Sequence, residues 1–363
     1  RCRHPNYQRN PIPRVYLLRF RDQPHSTNPF SWPPIMSTVL EFYSPKDLLH
    51  RTSVREGETK LGQILPTISE ADFNANGPLN YRFVIVGIEE DYGVRANLGR
   101  GGADKAFQAF LQHFCNLQDN RFFPSHSVAI LGAIIPTQNI ENDHVEALRE
   151  ATAAADATVQ FVVERIRSGG AIPIVIGGGH NNSYGCLKGA AQAHGNAVNC
   201  LNIDAHSDLR ALEGRHSGNG FAYAKKEGAL GAYFMWGLQE NYTPEYIWQY
   251  MEDHDEVEYL SYEDYLSGEE TMEATLIRVE SLLGERYGIE LDVDVIAQFP
   301  SSAQSSSGFT MEYVRSLLYR LDTEPLYFHL CEGRITNPTD HAHAGRALAL
   351  LTADFIKAFI FEE

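Results

Sequence analysis

Several things are scarce in this chain, and each scarcity excludes a class of protein. Cysteine occurs five times in 363 residues, at Cys2, Cys115, Cys186, Cys200 and Cys331. The number is odd, the positions are scattered and no two form a Cys-x-x-Cys pair. That excludes a disulfide framework and a cysteine-ligated zinc cluster, and it fits a reducing compartment. No apolar run approaches the ~18–20 residues that a membrane-spanning helix needs, and no basic-then-apolar leader is visible. Basic residues are outnumbered, with 30 Lys and Arg against 47 Asp and Glu, a formal charge of −17. So acidic a chain argues against a nucleic-acid backbone or an anionic membrane as partner. The expectation is a cytoplasmic protein that acts on a small molecule, with a homo-oligomer left open.

What is present is a globular composition, 43% hydrophobic and 21% charged, with ample core. Residues 1–35 stand apart: six Arg, no Lys, one acid (Asp22) and seven of the 17 Pro, a local charge of +5. The first methionine is Met36. We expect a disordered or non-native extension over 1–35, a lead-in over 36–79, and one large domain over 80–363.

From residue 80, short β-branched runs alternate with longer helical stretches. Strands are expected at Phe83–Ile88, Val128–Leu131, Ile172–Ile176, Ala197–Ile203, Ala232–Trp236, Ile289–Val295 and Leu326–Leu330. Helices are expected near 102–118, 142–168, 183–194, 271–286, 310–322 and 341–360. Such alternation predicts a single three-layer α/β domain, an open and mostly parallel sheet with helices on both faces. Ligands then bind beyond the carboxyl ends of the strands.

Three strand ends carry unusual residues. Gly177-Gly178-Gly179-His180 follows one, Asp204-Ala205-His206-Ser207-Asp208 follows another, and Asp292-Val293-Asp294 closes a third. In extended chain, residues two apart share a side, so these acids can converge. Four carboxylates cannot be buried together without counter-charge. Two divalent ions cancel four aspartates, and the imidazoles of His180 and His206 complete a ligand set. Six oxygen and nitrogen ligands are too many for one tetrahedral zinc and favour Mn²⁺. Two such ions about 3.5–4 Å apart hold a bridging water as hydroxide.

These three motifs, in this order, resemble the ureohydrolase superfamily of arginase, agmatinase and formimidoylglutamase. The resemblance implies a parallel sheet of eight strands and a binuclear manganese centre on His180, Asp204, His206, Asp208, Asp292 and Asp294. Gly-Gly-Gly-His in place of Gly-Gly-Asp-His, Arg210, the Gly214–Phe221 stretch and the loop Asp91–Gly102 are more similar to formimidoylglutamase than to arginase. Two segments depart from the arginase pattern: Val295–Pro300 with the Ser-rich 301–307, and Glu332-Gly333-Arg334-Ile335.

The resemblance implies attack of the bridging hydroxide on the C=N carbon of an amidine, most simply N-formimidoyl-L-glutamate, yielding glutamate and formamide. Asp294, or its partner Asp292, would relay a proton, and Glu332 would hold the cationic N–H groups. His216 would be a proton shuttle. Substrate carboxylates call for fixed positive charge, for which Arg210, Arg95, Arg100 and Arg215 are candidates, with Asn219 beside them. A guanidine substrate releasing urea, and a non-catalytic family member, are the alternatives.

Overall fold

Apolar residues occupy every position of the strand Phe83–Ile88, as a sheet covered on both sides requires. The computed structural model describes residues 37–75, 77–140 and 144–360, so the extension expected over 1–35 lies outside the described residues. Nine strands form one sheet: β1 (Thr38–Phe42), β2 (Phe83–Ile88), β3 (Val128–Pro136), β4 (Ile172–Gly177), β5 (Val198–Ile203), β6 (Leu230–Leu238), β7 (Val257–Ser261), β8 (Tyr287–Asp292) and β9 (Tyr327–Cys331). Their order is β1-β3-β2-β4-β9-β8-β5-β6-β7. β1 runs antiparallel to β3, and every other pairing is parallel.

The fold is therefore the open, mostly parallel α/β sheet that the alternation predicts, with one antiparallel edge strand beyond the eight expected. Alternate side chains of β2 enter opposite cores. Phe83 and Ile85 join Phe107, Phe110, Leu348 and Phe355 on one face. Val84, Val86 and Ile88 join Val159, Val162 and Leu187 on the other. Helices Ala106–Phe114, Met311–Leu318 and Pro338–Ala358 supply the first core, and Val145–Ser168 and Ser183–His194 the second. Each large aliphatic side chain so buried contributes roughly 1.5–3 kcal/mol.

Two expected boundaries move where the site begins. The strand expected at Ile289–Val295 stops at Asp292, and Val293–Val295 turn into a short 3₁₀ helix. The helix expected near 102–118 is a 3₁₀ turn, Ala103–Lys105, followed by Ala106–Phe114. The long helix closing the described chain starts at Pro338, where Asn337 caps the N–H groups of Thr339 and Asp340.

Candidate metal centre and substrate cavity

β4, β9, β8 and β5 are neighbours at the middle of the sheet, so the segments leaving their carboxyl ends meet. Gly177 and Gly178 leave β4 with φ of +95° and +70°, the left-handed region that suits glycine. A Cβ at Gly179 would press within 2.6 Å of both Asn181 and Val94, so a larger residue there would force those side chains aside. The tight turn delivers His180, 1% exposed, to the sheet edge.

His180 Nδ1 lies 2.8 Å from Asp208 Oδ2, 3.1 Å from Asp204 Oδ2 and 3.5 Å from Asp292 Oδ2. His206 Nδ1 lies 3.0 Å from Asp294 Oδ2 and 3.6 Å from Asp204 Oδ1. Five of the six thus form two clusters that share Asp204, one of His180, Asp204 and Asp292 and one of Asp204, His206 and Asp294; Asp208 joins the first through its approach to His180. Convergence does not come from extended chain. Asp204 accepts the His206 N–H at 2.7 Å and Asp292 accepts the Asp294 N–H at 2.8 Å, so each acid folds its own loop two residues on. Asp208 takes a left-handed φ of +49° and Glu332 one of +66°; such strain in non-glycine residues gathers at functional sites.

The donor set fits cations. Both ring nitrogens of His180 and the Oδ1 of Asp294 are buried without a hydrogen-bond partner, although three carboxylate oxygens lie within 3.5 Å of His180 Nδ1. Burial and neighbouring acids push the carboxyls of Asp208, Asp292 and Asp294 above the ordinary range, Asp292 well above it. An unpaired imidazole facing carboxylate oxygens and acids that resist ionisation are both relieved by a divalent ion between them.

Glu332, after β9, accepts the His180 N–H through Oε1 at 2.8 Å and the Ser302 hydroxyl through Oε2 at 2.5 Å. Burial and the nearby Asp294 raise its carboxyl to about 7, although Ser302 and the His180 N–H act to lower it. It lines a cavity of about 520 Å³ with His206, Asp208, Asp292 and Asp294. Asn97, Arg210, Ser217, Tyr242 and Ser302 complete the walls that matter here. The Tyr242 ring stacks on His206 at 5.3 Å and 14°. Arg210, half exposed, pairs with Glu213 at 3.5 Å and donates to Asn97, whose amide donates to Ser217.

The other residues expected at the site lie elsewhere. Arg95 pairs with Asp91 at 3.5 Å, donates to the Ile140 carbonyl, and borders a second, acid-lined cavity. Arg100 binds the carbonyl of Ser302 at 3.0 Å and so tethers the serine loop rather than lining the cavity. Arg215 is buried in a bidentate pair with Asp156, at 2.8 and 3.1 Å, between the rings of Tyr184 and Tyr223. Asn219 is consumed inside its own loop, donating to Ala211 and Gly214 and accepting from Arg215 and the His216 N–H. His216 is 1% exposed, between the Gly218 N–H and the Glu213 carboxylate. Burial and the Arg210 charge hold its imidazole down at about 4, so it is uncharged near neutrality. Ser302, Asn97 and Tyr242 were not named as site residues; Ser302 lay in the serine-rich stretch and Asn97 in the loop Asp91–Gly102, while nothing pointed to Tyr242.

The sheet and its edge define an open α/β protein with a carboxylate and imidazole centre at the carboxyl ends of the central strands. The arginase family model matches residues 81–350, and the chain belongs to the arginase family. It is accordingly a hydrolase of C–N bonds of the amidine and guanidine class. The formimidoylglutamase of Macrococcus caseolyticus is 30% identical over 253 residues, 68% of this chain and 75% of that protein. That of Geobacillus thermodenitrificans is 28% identical over 295 residues, 78% and 85% of the two chains. Among solved structures, Trypanosoma cruzi formiminoglutamase with Mn²⁺ superposes with a TM-score of 0.65 at 22% identity, over 84% of this chain and all of that one. Proclavaminate amidino hydrolase of Streptomyces clavuligerus superposes with a TM-score of 0.63 at 21% identity, over 78% and 93%. Among the described residues no helix is long and apolar enough to cross a membrane.

Proposed function

We propose that the chain hydrolyses N-formimidoyl-L-glutamate to L-glutamate and formamide, with two manganese ions held by His180, Asp204, His206, Asp208, Asp292 and Asp294. The observation that carries this reading is one cavity bearing a buried carboxylate, Glu332, beside the ligand cluster and a cation, Arg210, on its wall. An amidine with an anionic tail needs both.

Bound divalent ions supply positive charge and an acidified water as nucleophile. The chain's own groups do the rest. Glu332, oriented by Ser302 and the His180 N–H, accepts the N–H groups of the amidinium and aims its carbon at the cluster. Asp294 Oδ1, which has no other partner, takes the proton of the attacking water and returns it to the departing amine of glutamate. Arg210 and Asn97 hold a substrate carboxylate at the outer wall, and Tyr242 closes the side over His206. Arg95, Arg215, Asn219 and His216 take no part in this scheme, and Arg100 acts only through the serine loop.

The test is product identity. The manganese-loaded protein is given formimidoylglutamate, agmatine, arginine and guanidinobutyrate, and formamide and urea are assayed. Formamide from the first substrate is the expected outcome; urea alone, from any of the others, would overturn the reading.

A further inference from the structure

Beneath His180, on the side away from the aspartates, lies a buried pair that the hydrolytic scheme does not use. Glu290 on β8 and His329 on β9 are partners in register, and both are 0% exposed. His329 Nδ1 meets Glu290 Oε2 at 2.6 Å, and its Nε2 faces the Gly177 carbonyl at 3.3 Å. That carbonyl opens the glycine turn that delivers His180. The same Glu290 oxygen stands 3.5 Å from His180 Nε2, while Nδ1 is the nitrogen set among Asp204, Asp208 and Asp292. A carboxylate fully buried within a strand pair is costly unless it has a task. Nothing in strand packing requires one at this position.

We infer that Glu290 and His329 are positioning residues for the ion on the His180 side: the Glu290 carboxylate, 3.5 Å from Nε2, favours the proton on that nitrogen so that Nδ1 presents its lone pair to the ion, and His329 locks Glu290 and the Gly177 turn in place. Ligand imidazoles held in this way bind metal more tightly, and losing the outer carboxylate costs about 10- to 100-fold in affinity. The inference rests on the two-ion reading of the site. The second cluster, around His206, touches neither residue. The two ions are therefore expected to respond differently.

The experiment is Mn²⁺ titration of chelated protein, followed by calorimetry and electron paramagnetic resonance, for the wild type, Glu290→Gln and His329→Gln. Thermal melts report whether each variant is folded. The wild type should take up two ions and show a spin-coupled pair. In Glu290→Gln one binding event should weaken by about 10- to 100-fold while the other is unchanged, and the coupled signal should give way to that of an isolated ion. His329→Gln should weaken the same event. A folded variant that keeps both events at wild-type affinity, or weakens both equally, would overturn the inference and leave the metal reading standing. Failure of both variants to fold would overturn it too, because the pair would then serve the fold. A wild type that binds no pair of ions would overturn the metal reading and this inference together.

Discussion

Replacing Arg215 with methionine separates a structural arginine from a substrate-binding one. Arg215 and Asp156 form a bidentate pair, both under 10% exposed, and Arg215 also bonds the Asn181 carbonyl and the Asn219 side chain. The methionine keeps much of the volume between Tyr184 and Tyr223 but leaves the Asp156 carboxylate buried and unpaired. Breaking a buried pair in this way costs about 3–5 kcal/mol. In a large domain each kcal/mol moves Tm by about 2 °C, so a drop of about 6–10 °C is expected. The Asn181 carbonyl and Asn219 lose a partner at the same time, which places the outcome at the upper end. The KM for formimidoylglutamate, measured well below the melt, should stay within about twofold of wild type, since Arg215 does not line the cavity. Adding Asp156→Leu should recover most of the loss, because the stranded charge is then gone. A KM raised tenfold or more with an unchanged Tm would refute the reasoning and return Arg215 to the substrate.

Other outcomes follow from the same geometry. Arg210→Leu should raise the KM for formimidoylglutamate by about 10- to 100-fold, the worth of a charge-assisted hydrogen bond, with manganese content intact; an unchanged KM removes Arg210 from the site. Ser302→Ala takes away the hydroxyl that favours the ionised form of Glu332. Its carboxyl should rise, moving the acid limb of kcat/KM to higher pH, and a limb that stays in place or moves down contradicts the role given to Ser302. Between pH 5 and pH 8, where the lowered carboxyl of Asp204 stays ionised, chelated protein should lose stability as pH rises. The folded state holds protons on Asp208, Asp292 and Asp294 above the unfolded carboxylate pKa of about 3.9, so that stabilisation is whole at low pH and fades upward. Raised imidazoles at His180 and His206 act in the same direction. The Tm gap between manganese-loaded and chelated protein should widen from pH 5 to pH 8, and a constant gap would contradict this.

The acids and histidines of the centre were legible because ionisable residues at the ends of apolar strands have no packing use. Their means of convergence was not. Asp294 reaches the cluster through a 3₁₀ turn, and Asp208 through a left-handed bend, neither of which extended-strand alternation describes. β7 escaped notice because Val257-Glu258-Tyr259-Leu260-Ser261 is only partly apolar, and β1 because an edge strand leaves alternate residues exposed. Arg215 and Asn219 looked like site residues because they flank His216 in sequence. The buried partner that claims Arg215, Asp156, lies 59 positions away on a helix, a pairing no local pattern contains. Ser302 and Asn97 sit on loops whose course depends on tertiary contacts such as Arg100 to the Ser302 carbonyl. Glu290 was visible as an acid inside a strand but had no companion in sequence; its partner His329 becomes adjacent only through the parallel pairing of β8 and β9.

The central claim is that two ions on one cluster serve one reaction. Its most direct test is formamide release from formimidoylglutamate by chelated protein, measured against added Mn²⁺ equivalents per chain. Activity should be absent without metal and should climb to a plateau at two equivalents. A plateau at one equivalent, or full activity after chelation, would contradict it.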